Sequence, residues 1–310
     1  MQIEDIGEFG LIEDLARLLP EGEGVEEGIG DDAAVLAGRR RDSYLLLATD
    51  TIAESVHFRR RAAGRRVGRK ALAVNLSDIA AMGGLPLWAV VNLGLPAGTP
   101  VRYCREIYRG MAELAEEFSL SVVGGDTFRS PGGIVISVTV AGEVEKKRCV
   151  LRSGARPGDV ICLTGLLGDP PRDKHLDFTP RIREARFLGE STPPTAMIDL
   201  SDGLFADLAR LCRASGVGAV IGESSLPVLD SVRRRGTAAV IRTAGKGEEF
   251  ELLACLPPPA AESLCLELEA ALGTPLTPIG RIVADPGRLE LIDRRGTPRP
   301  LPDSGYQHFR

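Results

Sequence analysis

The stretch VGRKALAVNLSDIAAMGGLP, Val67 to Pro86, constrains this chain more than any other. Ala71, Ala73, Ser77, Ala80 and Ala81 make a run of small residues, and Gly83 and Gly84 stop it. Small side chains let backbones approach closely, so the pattern predicts a helix buried against a sheet or a ligand. The same helix carries Lys70, Asn75 and Asp78. A carboxylate taken out of water needs a cation or hydrogen bonds to offset its desolvation. Asn75 and Asp78 stand three apart and share a helix face. An Arg or Lys neighbour would satisfy Asp78 in a purely structural reading. Similar Asp-containing segments flanked by Gly recur along the chain, and that recurrence favours a ligand.

At 310 residues the chain exceeds one ordinary core, which predicts two domains. Its 44% apolar and 26% charged residues are those of a soluble globular protein. The net charge of −5, and Arg runs at 39–42 and 59–66 without interleaved aromatics, argue against a nucleic-acid partner. No apolar run approaches the roughly 18 residues of a membrane span. The start, MQIEDIGEFGLIEDL, is acidic where a signal peptide is basic and then apolar. Six scattered Cys without C-x-x-C spacing read as buried reduced thiols of a cytoplasmic protein. The three His lack zinc-type spacing.

Apolar periodicity predicts a helix over Ile6–Leu19, a turn at GIGDDA feeding a short strand, and a strand over Tyr44–Thr49. After the small-residue helix come a strand over Leu87–Leu95, a helix over Val101–Phe118, a strand over Ser121–Val123 opening onto a GGDTFRS loop, and a strand over Ile134–Val144. The polar connection Arg152–Asp159 marks a domain boundary, giving residues 1–148 and 149–310. The second half alternates: strands near 160–164, 196–198, 218–221, 250–255, 278–283 and 289–292, with helices near 181–188, 204–214 and 259–271. Gly216 is a natural C-cap. Gly168–Pro180 has almost no periodicity and reads as loop. The fold class is α/β (α+β) in two domains.

Five acidic clusters punctuate strand ends or helix starts: Asp31-Asp32, Asp50, Asp78, Asp126, and Asp199 with Asp202. Oxygen ligands without Cys or His suit Mg²⁺, which prefers carboxylates, water and substrate phosphates. Bound Mg²⁺ would neutralise a polyphosphate, which favours nucleotide chemistry over acid–base hydrolysis. GIGDDA fits G-x-G-x-x-A superficially, but two Asp where pyrophosphate should lie would repel it. No P-loop motif is present. In MIDLSDGLFADL, Ser201 is placed to cap a helix beginning at Asp202, so Asp199 and Asp202 straddle a strand-to-helix turn suited to metal and phosphate. GKGEEFELL brings Glu248 and Glu249 into a Gly-rich loop, and His57 follows Asp50 within reach of an anionic substrate.

The ordered segments GIGDDAAVL, ATDTIAESVHF, KALAVNLSDIAAMGGLP, VVGGDTFRS, RSGARPGDVICLTG, AMIDLSDGLFADL, GEEFELL and GYQHF closely resemble the thiamine-monophosphate kinase family. That family belongs to the aminoimidazole ribonucleotide synthetase-like superfamily. The resemblance implies a two-domain fold, with an N-terminal ATP/Mg-binding domain whose strands form a dimer-interface barrel and a C-terminal α/β domain. It implies a homodimer that converts ATP and thiamine monophosphate to ADP and thiamine diphosphate. It assigns Mg²⁺ to Asp32, Thr49, Asp50, Asp78, Asp199 and Asp202, with K⁺ a further candidate cation. It assigns ATP to Asp32, Tyr108, Gly125, Asp126, Arg152 and Ser201, and thiamine phosphate to His57, Glu248 and Tyr306. No general base is implied, because the attacking phosphate oxygen is already ionised. Against the family pattern, Ala48 stands where Ser often precedes the Thr-Asp pair, Phe128 replaces a usual Thr, and 168–180 is short.

Two other readings also fit these residues. One is a superfamily relative that uses ATP to activate another acceptor, of which an aminoimidazole synthetase-like enzyme fits best. The selenide enzyme wants a Cys that residues 1–30 lack, and the carbamoyl-dehydrating protein wants a C-terminal Cys where this chain has GYQHFR. The other is a nucleotide-binding relative with impaired catalysis.

Overall fold

The computed structural model describes residues 2–20, 22–168, 174–306, 308 and 309. In chain order the elements are α1 (Ile3–Ala16), β1 (Val25–Glu27), β2 (Ala34–Ala37), β3 (Ser43–Ala53), α2 (Gly64–Ala81), β4 (Leu85–Leu95), α3 (Val101–Glu117), β5 (Ser121–Arg129), β6 (Val135–Glu145), β7 (Val160–Thr164), α4 (Ile182–Ser191), β8 (Ala196–Asp199), α5 (Leu204–Ser215), β9 (Gly218–Gly222), α6 (Asp230–Arg233), α7 (Thr237–Ala244), β10 (Leu252–Leu256), α8 (Pro258–Leu272), β11 (Leu276–Val283), β12 (Leu289–Ile292) and β13 (Pro298–Pro300). They form two compact units interleaved in sequence. Unit 1 comprises Met1–Ala37, Leu151–Asp169 and Pro194–Arg310; unit 2 comprises Gly38–Val150 and Pro170–Pro193.

In unit 2 the strands run β3-β6-β4-β5. β6 pairs antiparallel with both β3 and β4, while β4 and β5 are parallel and joined through α3. Burial in β6 alternates residue by residue, as a strand with one face on a core requires. Small-residue α2 is the buried centre of this unit, with Leu72, Ala73, Leu76, Ile79, Ala80 and Ala81 inaccessible. α2 crosses α3 where a Cβ on Gly68 would meet the Ile107 carbonyl oxygen at 1.8 Å and one on Gly110 would meet the Arg65 carbonyl oxygen at 1.8 Å. Glycine at both positions is therefore what brings the two backbones together. Lys70 is fully buried in α2, and its Nζ donates to the His57 carbonyl at 3.0 Å and to His175 Nδ1 at 2.8 Å. These bonds offset the desolvation of its charge.

In unit 1 the strands run β13-β12-β9-β11-β7-β10-β8. Pairing is antiparallel except between β12 and β9. The apolar face of α5, with Leu204, Phe205, Leu208, Leu211 and Cys212, packs into one cluster with Ile161, Leu163, Ile198, Leu253 and Cys255. Gly216 ends α5 in the left-handed conformation at φ 65°, as its sequence position predicts. All six Cys are free thiols; Cys162, Cys212 and Cys255 are buried, while Cys104, Cys149 and Cys265 are half-buried.

Several expectations are corrected. GGDTFRS is not a loop: β5 runs through it to Arg129, held in parallel register with β4, and this pairing overrides the weak strand propensity of Gly and Asp. α5 starts at Leu204 with Gly203 as N-cap and no side-chain cap, so Ser201 does not cap it. α1 begins at Ile3, turns out of helical geometry at Gly7 (φ 67°) and buries no residue completely. Short elements β1, α6, α7 and β13 were not foreseen, being too brief for periodicity to register. Part of the expected 168–180 loop, residues 169–173, lies outside the described residues; 174–176 form a single 3₁₀ turn.

Candidate active site

Unit 1 gathers most of the charged residues singled out in the sequence. The turn Gly30–Asp32 wraps around Arg152. Arg152 donates through Nη2 to Asp32 Oδ1 at 2.6 Å, through Nη1 to the Gly30 carbonyl at 3.1 Å, and through its backbone N–H to Asp31 Oδ2 at 2.9 Å. The Asp32 side chain has no exposed surface. Burial, with the Asp32 charge next to it, raises the Asp31 carboxyl to about 6. Burial also raises Asp32, outweighing the opposing pull of Arg152. Asp199 ends β8, paired opposite Leu252 of β10, and is 2% exposed. It offers a carboxylate oxygen within 4.8 Å of one from Asp32.

The next turn, Ser201–Gly203, is held from three sides. The Glu248 N–H donates to the Ser201 carbonyl at 2.7 Å, and the Tyr306 N–H donates to the Asp202 carbonyl at 3.0 Å. The Asp207 carboxylate accepts from the Asp202 and Gly203 N–H groups. Glu248 adopts φ 66°, a strained backbone for a non-glycine residue, which the short bond to Ser201 helps to hold. Glu248 and Tyr306, distant in sequence, are thus fastened by their own backbones to the turn that carries Ser201 and Asp202. Burial raises the Asp207 carboxyl to about 7, against the lowering effect of Arg210.

The remaining predicted residues lie in unit 2. Thr49 and Asp50 are exposed on β3, with Thr49 Oγ1 donating to the Val138 carbonyl at 3.1 Å. His57 follows β3, its Nδ1 accepting the Ala53 N–H at 3.0 Å. Asp78 lies half-buried in the last turn of α2, and Tyr108 is 41% exposed on α3. Gly125 and Asp126 sit in β5, where a Cβ on Gly125 (φ +151°) would meet the Val91 carbonyl oxygen at 1.8 Å. Asp50 lies opposite Val138, Val138 opposite Val91, and Val91 opposite Gly125. Three strand spacings, about 14 Å, therefore separate Asp50 from Gly125, and the sheet does not make them neighbours.

The donor set suits a hard cation. Asp32 Oδ2 is buried without a hydrogen-bond partner among the described residues, although its carboxylate is charged at neutral pH only at a desolvation cost. Carboxylate oxygens from Asp32 and Asp199 without sulfur or imidazole fit Mg²⁺ rather than a softer ion. Asp207 and Arg210 escaped the sequence reading. The signal was an Asp on the apolar face of α5, flanked by Leu204, Leu208 and Leu211, with Arg210 three residues on.

The family model described as AIR synthase related protein, N-terminal domain, matches residues 30–144, and its C-terminal domain counterpart matches residues 164–292. The thiamine-monophosphate kinase of Rhodopirellula baltica is 34% identical over 303 residues, covering 94% of this chain and 93% of that protein. That of Bacillus subtilis is 32% identical over 326 residues, covering 98% and 99%. The solved structure of AaThiL complexed with AMPPCP and TMP superposes with TM-score 0.83 at 31% identity, covering 99% of each chain.

Proposed function

We infer the activity from the finding that this chain belongs to the thiamine-monophosphate kinase family, within the AIR synthase related proteins. It transfers a phosphoryl group from ATP to thiamine monophosphate, giving ADP and thiamine diphosphate. The observation that carries this reading is the likeness over nearly the whole chain to a structure holding an ATP analogue and TMP.

The acceptor phosphate oxygen is ionised at neutral pH, so the protein has only to align it in line with the γ-phosphate and offset charge. Arg152 is the proposed cationic contact to ATP, held ready by Asp31, Asp32 and Gly30. Gly125, Asp126, Tyr108 and Ser201 are the further proposed ATP contacts. His57, Glu248 and Tyr306 are the proposed thiamine phosphate contacts. Mg²⁺, when bound, neutralises the polyphosphate and polarises the transferring group. The residues proposed to hold it are Asp32, Asp199 and Asp202 in unit 1 and Thr49, Asp50 and Asp78 in unit 2. K⁺ remains the candidate monovalent ion.

The proposal extends to a cytoplasmic homodimer whose subunit contacts lie in an N-terminal domain of residues 1–148 that also supplies nucleotide and metal contacts, with an α/β domain in 149–310 supplying Arg152, Asp199, Ser201 and Asp202. Edge strand β5, with Val123 60% and Phe128 46% exposed, supports pairing with a second copy into a barrel. Among the described residues no helix is long and apolar enough to cross a membrane. The test is product formation with ATP, Mg²⁺ and thiamine monophosphate. Equal yields of ADP and thiamine diphosphate are expected; ATP binding without thiamine diphosphate would overturn the assignment.

A further inference from the structure

Asp207 is wholly buried in the first turn of α5. Its Oδ2 accepts the N–H groups of Asp202 at 3.1 Å and Gly203 at 3.0 Å. Its Oδ1 accepts from Arg210 Nη1 at 2.5 Å, and that same nitrogen lies 2.6 Å from Asp202 Oδ2. The Arg210 guanidinium in turn stacks over the Phe9 ring of α1 at 4.2 Å. The chain Asp202 carboxylate, Arg210, Asp207, Asp202 backbone therefore closes on itself.

Capping alone does not require this arrangement. A Ser, Thr or Asn oxygen satisfies helix N-terminal amides without burying a charge. A buried carboxylate that also brings in a guanidinium adds something a cap does not: it sets the orientation of the neighbouring Asp202 carboxylate. Arg210 is restrained by Phe9 on one side and Asp207 on another, which leaves Asp202 little rotational freedom. The Asp202 N–H and Gly203 N–H are held by the same Asp207 oxygen, so the turn backbone cannot swing independently.

We propose that Asp207 is a positioning residue for nucleotide and metal binding, holding Asp202 by its backbone directly and by its carboxylate through Arg210. The proposal rests on the assignment of Asp202 to metal binding above. Asp207 touches neither nucleotide nor metal in this scheme; it makes Asp202 and the Ser201–Gly203 turn ready before either arrives.

The test compares the full chain with Asp207→Ala, Asp207→Asn and Arg210→Gln. Asn keeps an oxygen for the two backbone amides but loses the ion pair, Ala loses both, and Gln leaves the amide bonds intact while releasing the Asp202 carboxylate. The first readout is calorimetric binding of ADP with Mg²⁺, without thiamine monophosphate, on protein whose near-ultraviolet circular dichroism is that of the unsubstituted chain. The second is the Mg²⁺ concentration giving half-maximal turnover. Asp207→Ala is expected to weaken ADP binding about tenfold or more, the worth of hydrogen bonds to a charged group, with Asn recovering part of that loss. Arg210→Gln is expected to raise half-saturating Mg²⁺ about threefold or more. ADP affinity and Mg²⁺ dependence unchanged in Asp207→Asn and Arg210→Gln, alongside lowered thermal stability, would reduce Asp207 to a helix cap and overturn the proposal. If Asp207→Ala does not fold, those two variants still decide it. Failure of the unsubstituted chain to make thiamine diphosphate would sink the kinase assignment instead, while the ADP calorimetry would still judge Asp207.

Discussion

Replacing Arg152 by Met tests how the Gly30–Asp32 turn is held. The Asp32 side chain has no exposed surface, and Arg152 pairs with it at 2.6 Å. Removing one partner of a buried pair leaves a charge in low dielectric and costs about 3–5 kcal/mol. Asp32 has an escape, since taking up a proton at about pH 8 costs roughly 5 kcal/mol, four pH units above an ordinary Asp at about 1.4 kcal/mol each. That figure is for an ordinary Asp; burial already raises the Asp32 carboxyl with Arg152 in place, so proton uptake costs Asp32 less and caps the loss. Arg152 is 22% exposed, so water reaches the pair from one side, which favours the low end, about 3 kcal/mol. Asp32→Asn in the Arg152→Met background removes the stranded charge and is expected to recover about half of the loss. Urea unfolding at about pH 8, with a chelator and without nucleotide, measures all three proteins. A loss under about 1 kcal/mol for Arg152→Met, or a double variant less stable than the single, would refute the buried-pair account.

Two further perturbations address unit 2. Arg186 donates to both carboxylate oxygens of Glu145, at 2.6 and 2.8 Å, and to the Gly83 carbonyl at 3.0 Å, and hydrogen bonding to this guanidinium holds Glu145 at about 2. Because the folded value is lowered, this stabilisation is present above the ordinary 4.5 and is lost as pH falls from there through about 2. Glu145 is 38% exposed, so screening limits the effect: Glu145→Gln should cost about 1 kcal/mol at neutral pH and nothing near pH 2, and an equal urea-midpoint deficit at both would refute it. Gly125→Ala would drive a Cβ into the immovable Val91 carbonyl at 1.8 Å. It should destabilise unit 2 on the order of 3 kcal/mol, and an unchanged melting temperature would remove the steric argument.

Much of this organisation was legible in the residues. Small residues and polar intruders marked α2 as a buried helix, and Lys70 and Asn75 are indeed fully buried there, whereas Asp78 is half-buried. The apolar runs Val160–Thr164 and Leu289–Ile292 are strands at the expected bounds. Gly216 closes α5 where a glycine C-cap was expected. What escaped depended on contacts that hydrophobic periodicity does not carry. GGDTFRS is strand because β4 lies beside it, a fact absent from its own composition. Ser201 has the chemistry of a cap, but the chain leaves helical geometry until Leu204, and Asp207 satisfies the amides from inside the helix.

The site divides along the same line. Local sequence determined which side chains have the chemistry for metal and phosphate, because carboxylates beside glycines are recognisable wherever they fall. It also determined periodicity, hence the type of the longer elements. Only the tertiary structure decided that Asp32 sits sealed against Arg152, that Glu248 and Tyr306 are fastened to the Asp202 turn, and that Asp207 and Arg210 belong with them. The Asp32 and Tyr306 contacts join residues more than a hundred positions apart, so no local window contains both ends; the Asp207 and Arg210 contacts are short in sequence, and it is burial in the folded unit that decides them.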